Sequence, residues 1–196
     1  MSEKKNSGLA LQKIETNQMR KRPLLRAKEN SKIKKLELFL SKAAKDKNHL
    51  ALFYGSAGTG KTVTASLLGK RTGKEVYRID LSRVVSKFIG ETEKNLDTLL
   101  SRAAGKGWIL LFDEADALFG KRSSVQDSKE RFGNKEASHL LQRIKKYEGM
   151  VILVSRLKEI ESHKILDDFD TVVRFQKLNF VTQKMVRLNS LFSKKK

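Results

Sequence analysis

Eight consecutive residues, Gly55-Ser56-Ala57-Gly58-Thr59-Gly60-Lys61-Thr62, carry the most specific chemistry in this chain. Their spacing, G-x-x-x-x-G-K-T, is that of a loop whose backbone cradles phosphate. Glycines let such a loop fold tightly and aim its N–H groups inward, and a helix starting there adds its positive dipole end. Gly55 through Val63 therefore form the candidate nucleotide-binding stretch. Lys61 would reach the β- and γ-phosphates, and the Thr62 hydroxyl would ligate Mg²⁺. A second constellation, Asp113-Glu114, lies 51 residues beyond Thr62. It closes the apolar run Ile109-Leu110-Leu111-Phe112, and carboxylates at the end of a parallel strand face the ligand crevice. Asp113 is placed to hold Mg²⁺, and Glu114 to orient and deprotonate an attacking water. An acid pair after a strand is also an ordinary helix start; the phosphate loop upstream tips the balance toward chemistry. Asp116 reads as turn support and His139 as a helix residue. No metal-ligand cluster, nucleophile triad or dinucleotide fingerprint competes.

These residues need an α/β frame to position them. His49 to Tyr54 reads as a buried strand ahead of the loop, and Val63 to Arg71 as the helix behind it, ended by Thr72-Gly73. Glu75 to Asp80 alternates like a strand, and Trp108 to Phe112 is wholly apolar. Val151 to Val154 and Thr171 to Phe175 complete five strands. Between them, Thr92 to Ala104 reads as a helix with Leu96, Leu99, Leu100 and Ala103 on one stripe, and Lys135 to Tyr147 as another. Gly120 to Gly133 reads as irregular. Ser31 caps an expected helix to about Ala44, and Val181 to Phe192 closes the chain. Strands alternating with helices predict a five-stranded parallel sheet covered on both faces, a three-layer α/β/α sandwich. The expected organisation is a basic mobile arm over 1–30, a core over 31–179, and a terminal helix with a basic tail over 180–196.

Composition narrows the setting. The 196 residues suffice for one core-building domain. The absence of cysteine excludes disulfides and thiolate metal sites and suits a reducing, cytoplasmic compartment. No apolar run approaches the ~20 residues of a membrane helix, and the first residues hold no apolar signal core. The net charge is +20, and residues 1–48 alone hold 14 Lys/Arg against 5 Asp/Glu. That balance suits an acidic partner such as nucleic acid, or simply a solvated basic surface; no aromatics interleave the basic run before Phe39.

The two motifs, in their order and spacing, resemble the AAA ATPase family. Ser86-Lys87-Phe88-Ile89-Gly90-Glu91-Thr92-Glu93-Lys94-Asn95-Leu96 resembles the family segment that grips substrate. The match implies that Phe88-Ile89-Gly90 faces a ring's central channel. Phe119 to Ser123 and on to Tyr147-Glu148-Gly149 is similar to small AAA proteins of contractile injection clusters. The resemblance spans about residues 49–178 and implies a P-loop NTPase fold, ATP and Mg²⁺ as cofactors, Lys61 and Glu114 as catalytic groups, and a homo- or hetero-oligomeric ring. Two positions depart from it. Ser155-Arg156 stands where the family has Thr-Asn, and a guanidinium cannot accept the hydrogen bond by which an amide orients water. Asp167-Asp168 stands where the family has an intersubunit arginine pair; Arg131 and Arg174 are the substitutes on paper. The expected lid would be reduced to Val181–Phe192.

Three functions are compatible with these residues. The first is an ATPase that pulls a polypeptide past Phe88, resting on Lys61, Thr62, Asp113 and Glu114. The second is a nucleotide-binding switch or ring subunit with impaired hydrolysis, resting on Arg156 and Asp167-Asp168. The third is a nucleic-acid-associated ATPase, resting on the basic arm.

Overall fold

The computed structural model describes residues 11–15, 23–42, 47–81, 91–119, 139–160, 164–179 and 182–186. Its strands are β1 (Gln12–Lys13), β2 (His49–Tyr54), β3 (Val76–Asp80), β4 (Ile109–Asp113), β5 (Met150–Ser155) and β6 (Thr171–Arg174). Its named helices are α1 (Ala27–Ser41), α2 (Lys61–Thr72) and α3 (Glu91–Ala103). Further helical residues lie at 139–144 and 182–186, within the two late helices expected from sequence. Short 3-10 turns occupy Ala115–Phe119 and Lys164–Asp168.

One six-stranded sheet runs β1-β3-β4-β5-β2-β6. The five strands expected from sequence are parallel, in the order β3-β4-β5-β2-β6. The count of five is corrected to six, because β1 adds an antiparallel edge with Gln12 opposite Arg78 and Lys13 opposite Tyr77.

The apolar strands hide a two-residue alternation that divides the core. Leu50, Leu52, Leu110, Phe112, Val151 and Leu153 point to one face, against Leu96, Leu99 and Ala103 of α3 and Leu140, Leu141 and Ile144. Ala51, Phe53, Ile109, Leu111, Ile152 and Val154 point to the other, against Ile33, Leu36 and Leu40 of α1 and Ala65 and Leu68 of α2. Both faces are covered, so every central strand is apolar on both sides, as a buried parallel sheet requires. Each large side chain removed from water contributes about 1.5–3 kcal/mol.

The stretch 1–30, expected as a mobile arm, contributes to this packing where it is described. Ile14 donates its backbone N–H to the Val76 carbonyl at 2.9 Å, and Leu25 is buried in the α1–α2 layer. Helix α1 begins at Ala27 rather than Ser31, and its N-cap Arg26 makes no side-chain capping bond. Asn30 instead donates its side-chain N–H to the Leu25 carbonyl at 3.0 Å, and Glu29 sits in the first turn. An acid there complements the helix dipole.

Candidate active site

β2 delivers the chain at Tyr54 into the glycine loop, and α2 starts at Lys61 directly behind it. Gly55 has φ +129°, and a Cβ placed on it would lie 1.9 Å from the Phe175 carbonyl oxygen. The loop therefore leaves the sheet pressed against the strand end of β6, where only glycine fits. Gly60 has φ +94° and lies beneath Pro23, whose Cγ would be 2.5 Å from an added Cβ. The Thr59 hydroxyl donates to the Ser56 carbonyl at 2.8 Å and closes the loop on itself.

Lys61 is buried, and its ammonium donates to the Gly55 carbonyl and, at 2.8 Å, to the Ser56 carbonyl. Burial pushes its pKa down from the ordinary lysine value, Asp113 and Asp116 pull it up, and Arg156 pushes it down. A compact cation seated against the loop backbone at a helix N-terminus is what a phosphate chain needs. Thr62 is half-buried at the first turn of α2, and Val63 follows it there. A cavity of about 250 Å³ adjoins the residue before the loop and is lined in part by Leu25, Arg26, Tyr54, Arg174 and Leu178.

The acidic tip lies at the ends of β4 and β5. Asp113 is the last residue of β4 and is buried. Its Oδ2 accepts two bonds from Arg78, from Nε at 2.9 Å and Nη2 at 2.7 Å. Its Oδ1 accepts the Glu114 backbone N–H at 2.9 Å. Glu114 adopts φ +58°, the left-handed region that costs a non-glycine residue about 1–2 kcal/mol. Its carboxylate Oε1 accepts a bond from Arg156 Nη2. Asp116 Oδ1 accepts from the fully buried Ser155 hydroxyl at 2.6 Å and from the Arg156 backbone N–H at 2.8 Å. Asp116 is thus the turn support read from sequence, and Arg156 takes the salt-bridging option open to a guanidinium.

The fit to a nucleotide's phosphates rests on the glycine cradle and the buried Lys61. For a divalent cation, Thr62 and Asp113 Oδ1 are the donors that remain; Asp113 Oδ2 is covered by a guanidinium. Arg78 did not stand out in the sequence. The signal was present: strand alternation puts it on the face of Asp80, whose register partner is Asp113.

Other sequence candidates lie apart from this tip. Asp168 pairs with Lys145 at 2.5 Å, and Arg174 reaches the Lys158 carbonyl at 3.5 Å. His139 is exposed beside the buried Leu140 and Leu141. Phe88-Ile89-Gly90 and Arg131 lie outside the described residues. Among the described residues, no group of three or more His, Cys, Asp and Glu could hold a metal ion, and no helix is long and apolar enough to cross a membrane.

A parallel sheet with helices on both faces, a glycine loop between β2 and α2, and acids ending the next-but-one strand define a P-loop nucleoside triphosphatase. Within that class the chain belongs to the AAA family, the ATPase family associated with various cellular activities, whose profile matches residues 51–177. Over 86 residues it is 38% identical to the vesicle-fusing ATPase of Arabidopsis thaliana, a match covering 39% of this chain and 12% of that protein. It is 35% identical over 89 residues to cell division protein C of Sulfolobus acidocaldarius, covering 42% of this chain and 24% of that protein. The chain therefore spans a minor part of the curated relatives it matches. Among solved structures, the FIGL-1 AAA domain in complex with ADP is similar at a TM-score of 0.59 and 16% identity, covering 96% of this chain and 64% of that one. A chain of the HORMA:CdnC:Trip13 complex of E. coli MS115-1 is similar at 0.57 and 16%, covering 84% and 67%. At that identity the likeness is one of fold.

Proposed function

We propose that this chain binds ATP at the loop Gly55–Thr62 and couples its binding and hydrolysis to remodelling of a protein or protein assembly. The observation that carries the proposal is the buried Lys61 ammonium inside a glycine loop at the start of α2. Loop amides and Lys61 take the phosphate oxygens now matched by the Gly55 and Ser56 carbonyls around the ammonium. The base and ribose extend into the cavity lined by Leu25, Tyr54 and Leu178. Mg²⁺, when bound, neutralises phosphate charge, with Thr62 and Asp113 as its protein donors. Glu114 holds the attacking water at Oε2, its Oε1 being on Arg156, and accepts the proton there. The protein partner is inferred from family membership and from the match of Phe88-Ile89-Gly90 to the substrate-gripping segment, within a homo- or hetero-oligomeric ring.

One observation favours a second reading, a nucleotide-dependent switch that hydrolyses slowly. The Arg156 guanidinium stands at the β5 exit on the very carboxylate that would act as base.

Calorimetric titration with ATP and turnover assays on the parent, Lys61→Ala and Glu114→Gln test both readings. Binding lost in Lys61→Ala, and retained with turnover down about 100-fold or more in Glu114→Gln, is the result expected of the ATPase. Binding in the parent with a slow rate that Glu114→Gln leaves unchanged selects the switch. No heat from the parent ends both.

A further inference from the structure

Lys61, Arg78 and Arg156 meet Asp113, Glu114 and Asp116 at the strand ends, with Asp80 opposite Asp113 in the register. Arg78 holds the central position among them. It sits opposite Leu111 in the β3–β4 register, so its side chain shares a face with Asp113 two residues further along β4. Two of its nitrogens converge on Asp113 Oδ2, and the side chain of Asp113 is only 11% exposed.

We infer that Arg78 is a built-in counter-cation for Asp113, so that nucleotide binds this pocket with nearly the same affinity whether or not Mg²⁺ accompanies it. The inference rests on the nucleotide reading above and deepens it. An uncompensated carboxylate at the end of β4 repels an incoming polyphosphate, and a divalent ion between them removes the repulsion. Here a guanidinium already stands on that carboxylate. Asp113 Oδ1 is also engaged, by the Glu114 N–H, so less of the carboxylate is open to a cation. Arg156 does the same for Glu114. The phosphates meet two carboxylates already paired with guanidinium groups, and the Lys61 ammonium beside them.

ATP affinity is measured for the full chain with excess Mg²⁺ and with EDTA, in the parent, Arg78→Gln and Arg78→Lys. Glutamine can still hydrogen-bond Asp113 but brings no charge, while lysine keeps it. The parent affinities differ by less than about threefold between the two solutions. In Arg78→Gln the affinity in EDTA drops so that the difference reaches about tenfold or more, and Arg78→Lys stays near the parent. A purely structural Arg78 would alter thermal stability but leave the Mg²⁺-to-EDTA ratio untouched. A parent that loses tenfold or more in EDTA overturns the inference, even if Arg78→Gln does not fold. An unchanged ratio in folded Arg78→Gln overturns it too. A parent that binds in neither solution overturns the nucleotide reading and the inference together.

Discussion

Ser155 and Asp116, 39 residues apart in the chain, are joined by a 2.6 Å hydrogen bond from a hydroxyl with no solvent exposure. The same carboxylate oxygen takes the Arg156 N–H, so one acid fixes where β5 ends and where the Arg156 side chain departs. The Ser155 oxygen then accepts the Leu157 N–H at 3.1 Å, extending the tie around the turn. Asp116→Ala strands a buried hydroxyl and a backbone N–H. We expect about 2–3 kcal/mol of lost stability, and about 1 kcal/mol for Asp116→Asn, which keeps the acceptor. Urea unfolding of the two variants checks this; equal losses would show that the acceptor is not what matters.

Arg156 is the side chain thus delivered, and it holds Glu114. Replacing it with Asn removes the ion pair and introduces an amide that both accepts and donates, as orienting a water requires. ATP turnover should rise by about tenfold in Arg156→Asn and less in Arg156→Ala, since alanine frees Glu114 but orients nothing. Steady-state kcat values decide it, and turnover equal to the parent in both variants would refute a restraining role for Arg156.

Glycines in the phosphate loop are required for two different reasons. At Gly55 a methyl would run into the Phe175 carbonyl, a backbone atom held by the Phe175 N–H bond to the Tyr54 carbonyl at 2.7 Å. At Gly58 the backbone has φ +72°, yet an added Cβ meets nothing within 4 Å. Gly55→Ala should therefore cost about 3 kcal/mol or more, strain plus a displaced β2–β6 edge, and Gly58→Ala about 1 kcal/mol. Denaturant midpoints of the two variants test the order.

The architecture was legible because the sheet is built from apolar runs bounded by glycine, and its helices carry an apolar stripe such as Leu96, Leu99 and Ala103. β1 was not legible. Gln12-Lys13 joins the edge through backbone hydrogen bonds, which demand no side-chain pattern. The early start of α1 at Ala27 escaped because Asn30 and Glu29 stabilise its first turn where a cap rule points to Ser31. At the site, the loop and the acids were readable as local motifs. The Arg78–Asp113 pair was not, since a charged residue on a strand reads as solvent-facing until the register sets it beside an acid 35 residues away.

Tyr147 supplies a pH signature away from the site. Its phenol is buried and donates to the Trp108 carbonyl at 3.2 Å, and burial pushes its pKa up to about 12. The folded state holds this proton more tightly than the unfolded state, where the value is 10.0. The contribution is therefore complete below pH 10 and lost as pH rises toward 12, by about 2–3 kcal/mol. Tyr147→Phe should be about 1 kcal/mol less stable than the parent at neutral pH, and this deficit should vanish and then reverse between pH 10 and 12. Paired unfolding curves across that range test it; a constant gap would refute a buried, protonated phenol.

The α1 contacts also impose an order of events on the growing polypeptide. Glu29 accepts the Arg174 N–H, and Lys32 donates to the Val172 carbonyl at 2.6 Å, across separations of 145 and 140 residues. Pro23, four residues before α1, is the lid over Gly60. A ribosome makes the glycine loop early, but the β6 segment that anchors its roof emerges more than a hundred residues later. The loop can be synthesised and even flanked by β2 and α2, yet its seating waits for the far end of the core to come back and clasp the beginning.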